Sequence, residues 1–322
     1  MRESLRLLLE GIVDYAGLFP PAKLSMADAV RTYDKHRNGS YSAILSHYIC
    51  PVSRLDELEV EAGDLLWKNP WTLSVLGKGG ADPWVWLDET TREIHKVASF
   101  EERSEGNARA LVMEAPLPAE FQREPDPPVV RPWLEEVNRV FGTRTTSVEQ
   151  LFLEVGFTGA WEENLPRLFE VLAQGSASTS CISLGVKIRT GGLEAKTIPS
   201  PIQVAHFIAA AEEFGLPFKA TAGLHHPFRH FSETLGAGMH GFLNVFGGAA
   251  LLEAKAIDRE GLVAILKDEC RDNFVFDDEG FSWKENRSPN DRIQAARANL
   301  ALSFGSCSVD EPIEDLNTMA LL

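Results

Sequence analysis

The chain has 322 residues, 44% hydrophobic and 24% charged, enough to bury one large core or two ordinary ones. Its net charge of −16 excludes a general affinity for nucleic acid or an anionic membrane, leaving room only for a local basic pocket. No apolar stretch approaches the ~20 residues of a membrane span, and the N-terminal apolar run is too short and charge-interrupted for a signal segment.

Short apolar runs alternate with helical patterns, as in parallel βα units. Strands are expected at residues 11–18, 42–49, 72–76, 108–114, 150–155, 183–189, 217–221 and 241–246. Helices are expected at 27–36, where Ser25 is a fitting N-cap, and at 131–141, 164–172, 203–214 and 230–236. Residues 51–66 and 84–100 are less clearly helical, and the proline- and acid-rich segment 116–132 reads as an excursion. Eight such strands predict a (β/α)8 TIM-like barrel over residues 1–271. Residues 272–322 read as a C-terminal hairpin-plus-helix appendage: an alternating hairpin at 273–284, a helix at 290–302, then the small-residue turn Ser303-Phe-Gly-Ser-Cys-Ser308.

Cys50, Cys181, Cys270 and Cys307 form no C-x-x-C pair, which fits reduced thiols and a cytoplasmic protein. Gly77-Lys-Gly-Gly80 does not match a P-loop, so nucleotide binding has no support and no cofactor is expected. The oligomeric state is not written in the sequence.

In a parallel barrel, reactive groups collect at the C-terminal ends of the strands. Glu114 ends Ala-Leu-Val-Met-Glu and Glu154 ends Leu-Phe-Leu-Glu. Lys187 and Arg189 alternate with Val186 and Ile188, which puts both cations on one face. Lys219 follows on the next strand and Asn244 on the last, so polar groups converge from five consecutive strands. Asp14, Tyr15, His47 and Tyr48 sit on the first two strands and fit a core or a site role equally. Buried cations are costly unless paired, so this convergence suggests either an anion-binding reactive site or an internal layer of ion pairs.

Lys187-Ile-Arg-Thr-Gly191 resembles the K-x-x-T-G signature that ends strand six in deoxyribose-phosphate aldolase and its class I relatives. Lys219-Ala-Thr-Ala-Gly-Leu224 is similar to their strand-seven K-A-[ST]-G-G-[IV] motif. The resemblance implies an aldolase-like lyase in which Lys187 forms a Schiff base and Lys219 is the neighbouring cation. That cation, with partial desolvation, would lower the Lys187 pKa and free the amine. Glu114 or Glu154 would then shuttle protons. The chain departs from the pattern at Arg189, which stands among the small residues of the first motif, and at Ala222, where a glycine is expected.

The leading expectation is therefore an enzyme acting on a small anionic carbonyl compound, phosphorylated or not. Arg189, His225, His226, Asn244, Gly247 and Gly248 are its candidate binding residues, the last two as backbone N–H donors to a phosphate. A second reading is a metal-dependent lyase or hydrolase using His225 or His226 with Glu114 and Glu154. A third is a non-catalytic anion-binding protein.

Overall fold

The computed structural model describes residues 1–142, 146–178 and 181–322. Its strands are β1 (Val13–Tyr15), β2 (Leu45–Pro51), β3 (Trp71–Leu76), β4 (Ala108–Pro116), β5 (Gln150–Val155), β6 (Ser183–Arg189) and β7 (Phe218–Thr221). After these come β8 (His230–Ser232), β9 (Ala237–Met239), β10 (Phe274–Phe276), β11 (Gly280–Trp283), β12 (Asn286–Pro289) and β13 (Ala301–Ser306). The helices are α1 (Glu3–Leu9), α2 (Met26–Arg37), α3 (Leu55–Lys68), α4 (Pro83–Arg103), α5 (Ala119–Arg123) and α6 (Pro127–Gly142). Then follow α7 (Trp161–Ser178), α8 (Pro201–Glu213), α9 (Phe242–Glu253), α10 (Arg259–Lys267), α11 (Asn290–Asn299) and α12 (Asp310–Thr318). Among the described residues no helix is long and apolar enough to cross a membrane.

Eight strands close a parallel barrel in the order β1-β13-β7-β6-β5-β4-β3-β2, the architecture expected from the alternating pattern. Local chemistry starts the helices where the sequence places them. The Ser25 hydroxyl accepts from the Asp28 N–H to cap α2, and Asp82 accepts from the Trp84 and Val85 N–H groups ahead of Pro83 in α4. Ser200 and Gln203 form a reciprocal capping box on α8.

By contacts the chain falls into two compact units, Asp14–Gly39 with His47–Lys187, and Met1–Val13 with Ser40–Ser46 and Ile188–Leu322. In the first, Tyr33 of α2 packs on Tyr15, Tyr48 and Trp71, with ring centroids 5.9, 5.2 and 4.7 Å apart. Those three side chains therefore face the helices. Strand alternation turns Asp14, His47 and Ser74 to the barrel interior.

In the second unit β13 runs parallel to β7, with Ser303 opposite Lys219 and Gly305 opposite Thr221. The antiparallel pair β10–β11 is the expected hairpin, and β12 adds a third strand to it.

Two expected elements are corrected. Residues 241–246 are not the eighth strand but the start of α9, whose residues Phe242 to Leu252 are all buried. A short apolar run without alternation reads equally as a core strand or a buried helix, and only length separates them. The eighth barrel strand is β13, where the sequence predicts the end of a helix up to residue 302 and a small-residue turn from Ser303. Its Ser303 stands opposite Lys219 in the parallel register, so the two side chains share a face. The boundary at residue 271 thus does not separate the barrel from an appendage, since Ala301–Ser306 completes the barrel.

The expected helix at 230–236 is the antiparallel pair β8–β9, turned by Gly236 at φ +62° with its N–H on the Ser232 carbonyl. The segment 116–132 holds α5 and the first turns of α6 rather than a bare loop.

Candidate functional site

Lys187 lies on β6 between Val186 and Ile188, both fully buried. Its ammonium sits 2.7 Å from Glu114 Oε2, contributed by β4, and 2.9 Å from Glu154 Oε2, contributed by β5. The other Glu114 oxygen accepts from the Ser74 hydroxyl of β3 at 2.6 Å. Four consecutive strands thus meet in one buried hydrogen-bonded chain, Ser74–Glu114–Lys187–Glu154. Lys187 and Glu114 are deeply buried, while the Glu154 side chain keeps 21% of its exposure.

Burial pulls the Lys187 ammonium toward the neutral amine, but the charges and hydrogen bonds of Glu114 and Glu154 outweigh it, so its pKa lies above the ordinary lysine value. This corrects the expectation that a neighbouring cation keeps the amine neutral. The resting group is an ammonium between two carboxylates.

Lys219 is buried in the other compact unit, at the register of Ser303. Arg189 ends β6 as an exposed residue.

The two lysine-bearing segments meet just past their lysines. The Thr190 hydroxyl donates to the Ala222 carbonyl at 2.6 Å, and the Thr190 N–H to the Thr221 carbonyl at 2.9 Å. Gly191 and Gly223 then pass so closely that a Cβ on Gly191 would lie 2.7 Å from the Gly223 Cα. Ala222 stands at φ +61°, the left-handed region that favours glycine.

His225 and His226 follow, each with Nδ1 against a carboxylate of α12: Glu311 at 3.0 Å and Asp315 at 2.5 Å. The four-residue spacing of Glu311 and Asp315 puts both on one helix face. Glu114 and Glu154, the partners required by the metal reading, are instead engaged by Lys187. Among the described residues no group of three His, Cys, Asp or Glu is placed to hold a metal ion.

Asn244, Gly247 and Gly248 have other work than the one expected of them. Asn244 is fully buried on α9. Its Oδ1 accepts from the Arg229 N–H, and its Nδ2 donates to the Ile265 and Asp268 carbonyls. Gly247 and Gly248 lie in the helix interior, where an added Cβ would come within 2.8 Å of Phe281 and 2.7 Å of Leu262. They serve close packing and offer no N–H groups at a helix start.

On β1 and β2, Asp14 Oδ1 takes both the backbone N–H and the Nδ1 of His47, each at 3.0 Å, which fixes the imidazole. Sequence reasoning singles out Asp14 as a core or site residue but misses Ser74, whose one signal is a polar break between Leu73 and Val75. Glu311 and Asp315 gave no such signal, since an acidic chain end reads as a solvated one.

No protein-family model matches the chain, and no curated protein matches it. Among solved structures it is similar to the deoxyribose phosphate aldolase from Aeropyrum pernix, a structure described as a unique tetramer. The likeness spans 98% of this chain and 93% of that one, at 13% identity and a TM-score of 0.49. At such an identity the chemistry has to be read from this chain's own residues.

Proposed function

We propose that this chain is an aldolase-like enzyme acting on a small anionic carbonyl compound through a Schiff base at Lys187. The observation that carries the reading is the buried contact of the Lys187 ammonium with Glu114 and Glu154. The two motif resemblances support it.

The arrangement suits imine chemistry in both directions. An ammonium cannot attack a carbonyl, so it must first give up a proton, and a carboxylate 2.7 or 2.9 Å away can take it. The freed amine adds to the carbonyl carbon, the C=O electron pair moves onto oxygen, and one amine proton passes to that oxygen to give the carbinolamine. The same carboxyl then returns the proton to the carbinolamine hydroxyl, which leaves as water while the nitrogen lone pair forms the C=N bond. One proton leaves and one comes back, so the step balances within the triplet. Of the two carboxylates, Glu154 is the better shuttle because it is partly exposed, whereas Glu114 is held by Ser74 and acts as the fixed counter-charge. Arg189, exposed at the end of the same strand, is the candidate holder of a substrate carboxylate or phosphate.

Borohydride reduction with a panel of small aldehydes and keto acids, followed by peptide mass spectrometry, is expected to label Lys187. A folded protein that takes no label there from any of them overturns the reading and leaves the triplet a structural ion cluster.

A further inference from the structure

Arg229 opens the β8–β9 hairpin that follows β7, and its side chain is largely buried, with 16% of its surface exposed. Its Nη1 is shut off from solvent and has no hydrogen-bond partner among the described residues. Among the described residues its ion-pair partner is Glu269, which approaches Nε only to 3.7 Å and is itself mostly exposed. A guanidinium so placed carries a desolvation cost that its counter-charge does not offset. Burial accordingly lowers its pKa from the usual arginine value.

The frame around it is rigid. The Arg229 N–H is pinned by Asn244, which is itself tied to the Ile265 and Asp268 carbonyls. The chain just before it lies against Gly241, where an added Cβ would be 2.3 Å from the Phe228 carbonyl carbon. The guanidinium rests on the backbone of Gly238, where an added Cβ would fall 2.3 Å from Nη2. Two glycines and a buried asparagine therefore aim this side chain.

His240 completes the set. It is fully buried, and because the Pro199 carbonyl accepts from Nε2 at 2.7 Å, the ring proton resides on Nε2. Nδ1 is then a bare acceptor, also without a partner among the described residues. The antiparallel register of β8 and β9, with His230 opposite Met239, brings Arg229 and His240 next to each other at the open end of the hairpin.

We propose that Arg229 and His240 form a binding site for a small oxyanion that also carries an O–H group, such as hydrogen phosphate or a 2-hydroxycarboxylate. The charged oxygens take the guanidinium N–H donors, and the O–H donates to His240 Nδ1. A simple carboxylate offers only the first of these contacts, so it binds more weakly. The site stands whether or not Lys187 forms an imine, because every residue in it belongs to the hairpin and its supports.

Thermal unfolding of the full chain is to be followed with added inorganic phosphate, glycolate and acetate, in a buffer free of other anions. Phosphate or glycolate is expected to raise the midpoint with concentration and to exceed acetate, since binding only the folded state stabilises it. Arg229→Gln is expected to abolish the shift. Gly238→Ala keeps the charge but displaces the guanidinium, and is expected to weaken binding about tenfold or more through lost hydrogen bonds to a charged group. Should Arg229→Gln not fold, the ring ¹⁵N signals of His240 in the wild-type protein give the same answer: phosphate or glycolate is to move them. The proposal is overturned by a wild-type midpoint and His240 signals that ignore both anions, or by an undiminished shift in the Gly238→Ala protein. In those cases Arg229 serves the hairpin alone.

Discussion

Thr190 and Ala222 are joined by a 2.6 Å hydrogen bond from the threonine hydroxyl to the alanine carbonyl, at the point where the two lysine-bearing motifs leave their strands. The bond ties the end of β6 to the turn after β7. It lets Gly191 and Gly223 pass backbone to backbone.

Thr190→Val keeps the shape and removes the hydroxyl, which leaves the Ala222 carbonyl short of a donor. A loss of ~1–2 kcal/mol is expected. Urea unfolding measures it, and Thr190→Ser should retain most of the stability.

Ala222→Gly is expected to stabilise the protein. At φ +61° an alanine Cβ crowds the following carbonyl, and glycine relieves a cost of ~1 kcal/mol, partly offset by its freer unfolded chain. A raised melting midpoint is the readout, and an unchanged or lowered one shows that the Ala222 methyl packs usefully.

Glu114→Gln and Glu154→Gln are expected to differ. Glu114 is buried between Lys187 and Ser74, so neutralising it should cost ~3 kcal/mol. Glu154 is partly exposed and water screens its charge, so the loss should be nearer ~1 kcal/mol. If it is also the proton shuttle, its replacement slows borohydride trapping at Lys187 while leaving the fold largely intact.

Lys187 sets an alkaline limit. Its folded pKa is raised above the ordinary value of 10.5, so the stability it contributes is fully present below pH 10.5 and declines as the pH rises through the folded value. Chemical unfolding across that range should show the decline in the wild type. It should be absent from Lys187→Arg, whose cation does not titrate there.

His240 acts at the other end of the scale. Burial is the main cause that lowers its folded pKa from 6.5 to about 4, against the Pro199 hydrogen bond that raises it. Above pH 6.5 the ring is neutral in both states and adds no pH dependence. Between pH 6.5 and about 4 only the unfolded chain takes up the proton, and stability falls by up to about 3 kcal/mol. His240→Gln should flatten that part of the profile.

Much of this protein was determined by its sequence alone. The strands carrying Glu114, Glu154, Lys187 and Lys219 are legible because period-two alternation is a local property. A lysine or glutamate that breaks an apolar run marks its own place. Ser25, Ser200 and Pro201 likewise start helices through bonds made within one turn. Tertiary structure decided the rest. The run Phe242-Leu-Asn-Val-Phe246 is apolar enough for strand or helix, and it is the start of a twelve-residue helix buried from Phe242 to Leu252. Residues 301–306 read as a helix end followed by a turn, and it is the parallel pairing with β7, Ser303 opposite Lys219, that makes them a strand. The charge state of Lys187 turned on distance: residues 114, 154 and 187 are far apart in sequence, and Coulomb energy depends on the ångströms that separate their side chains.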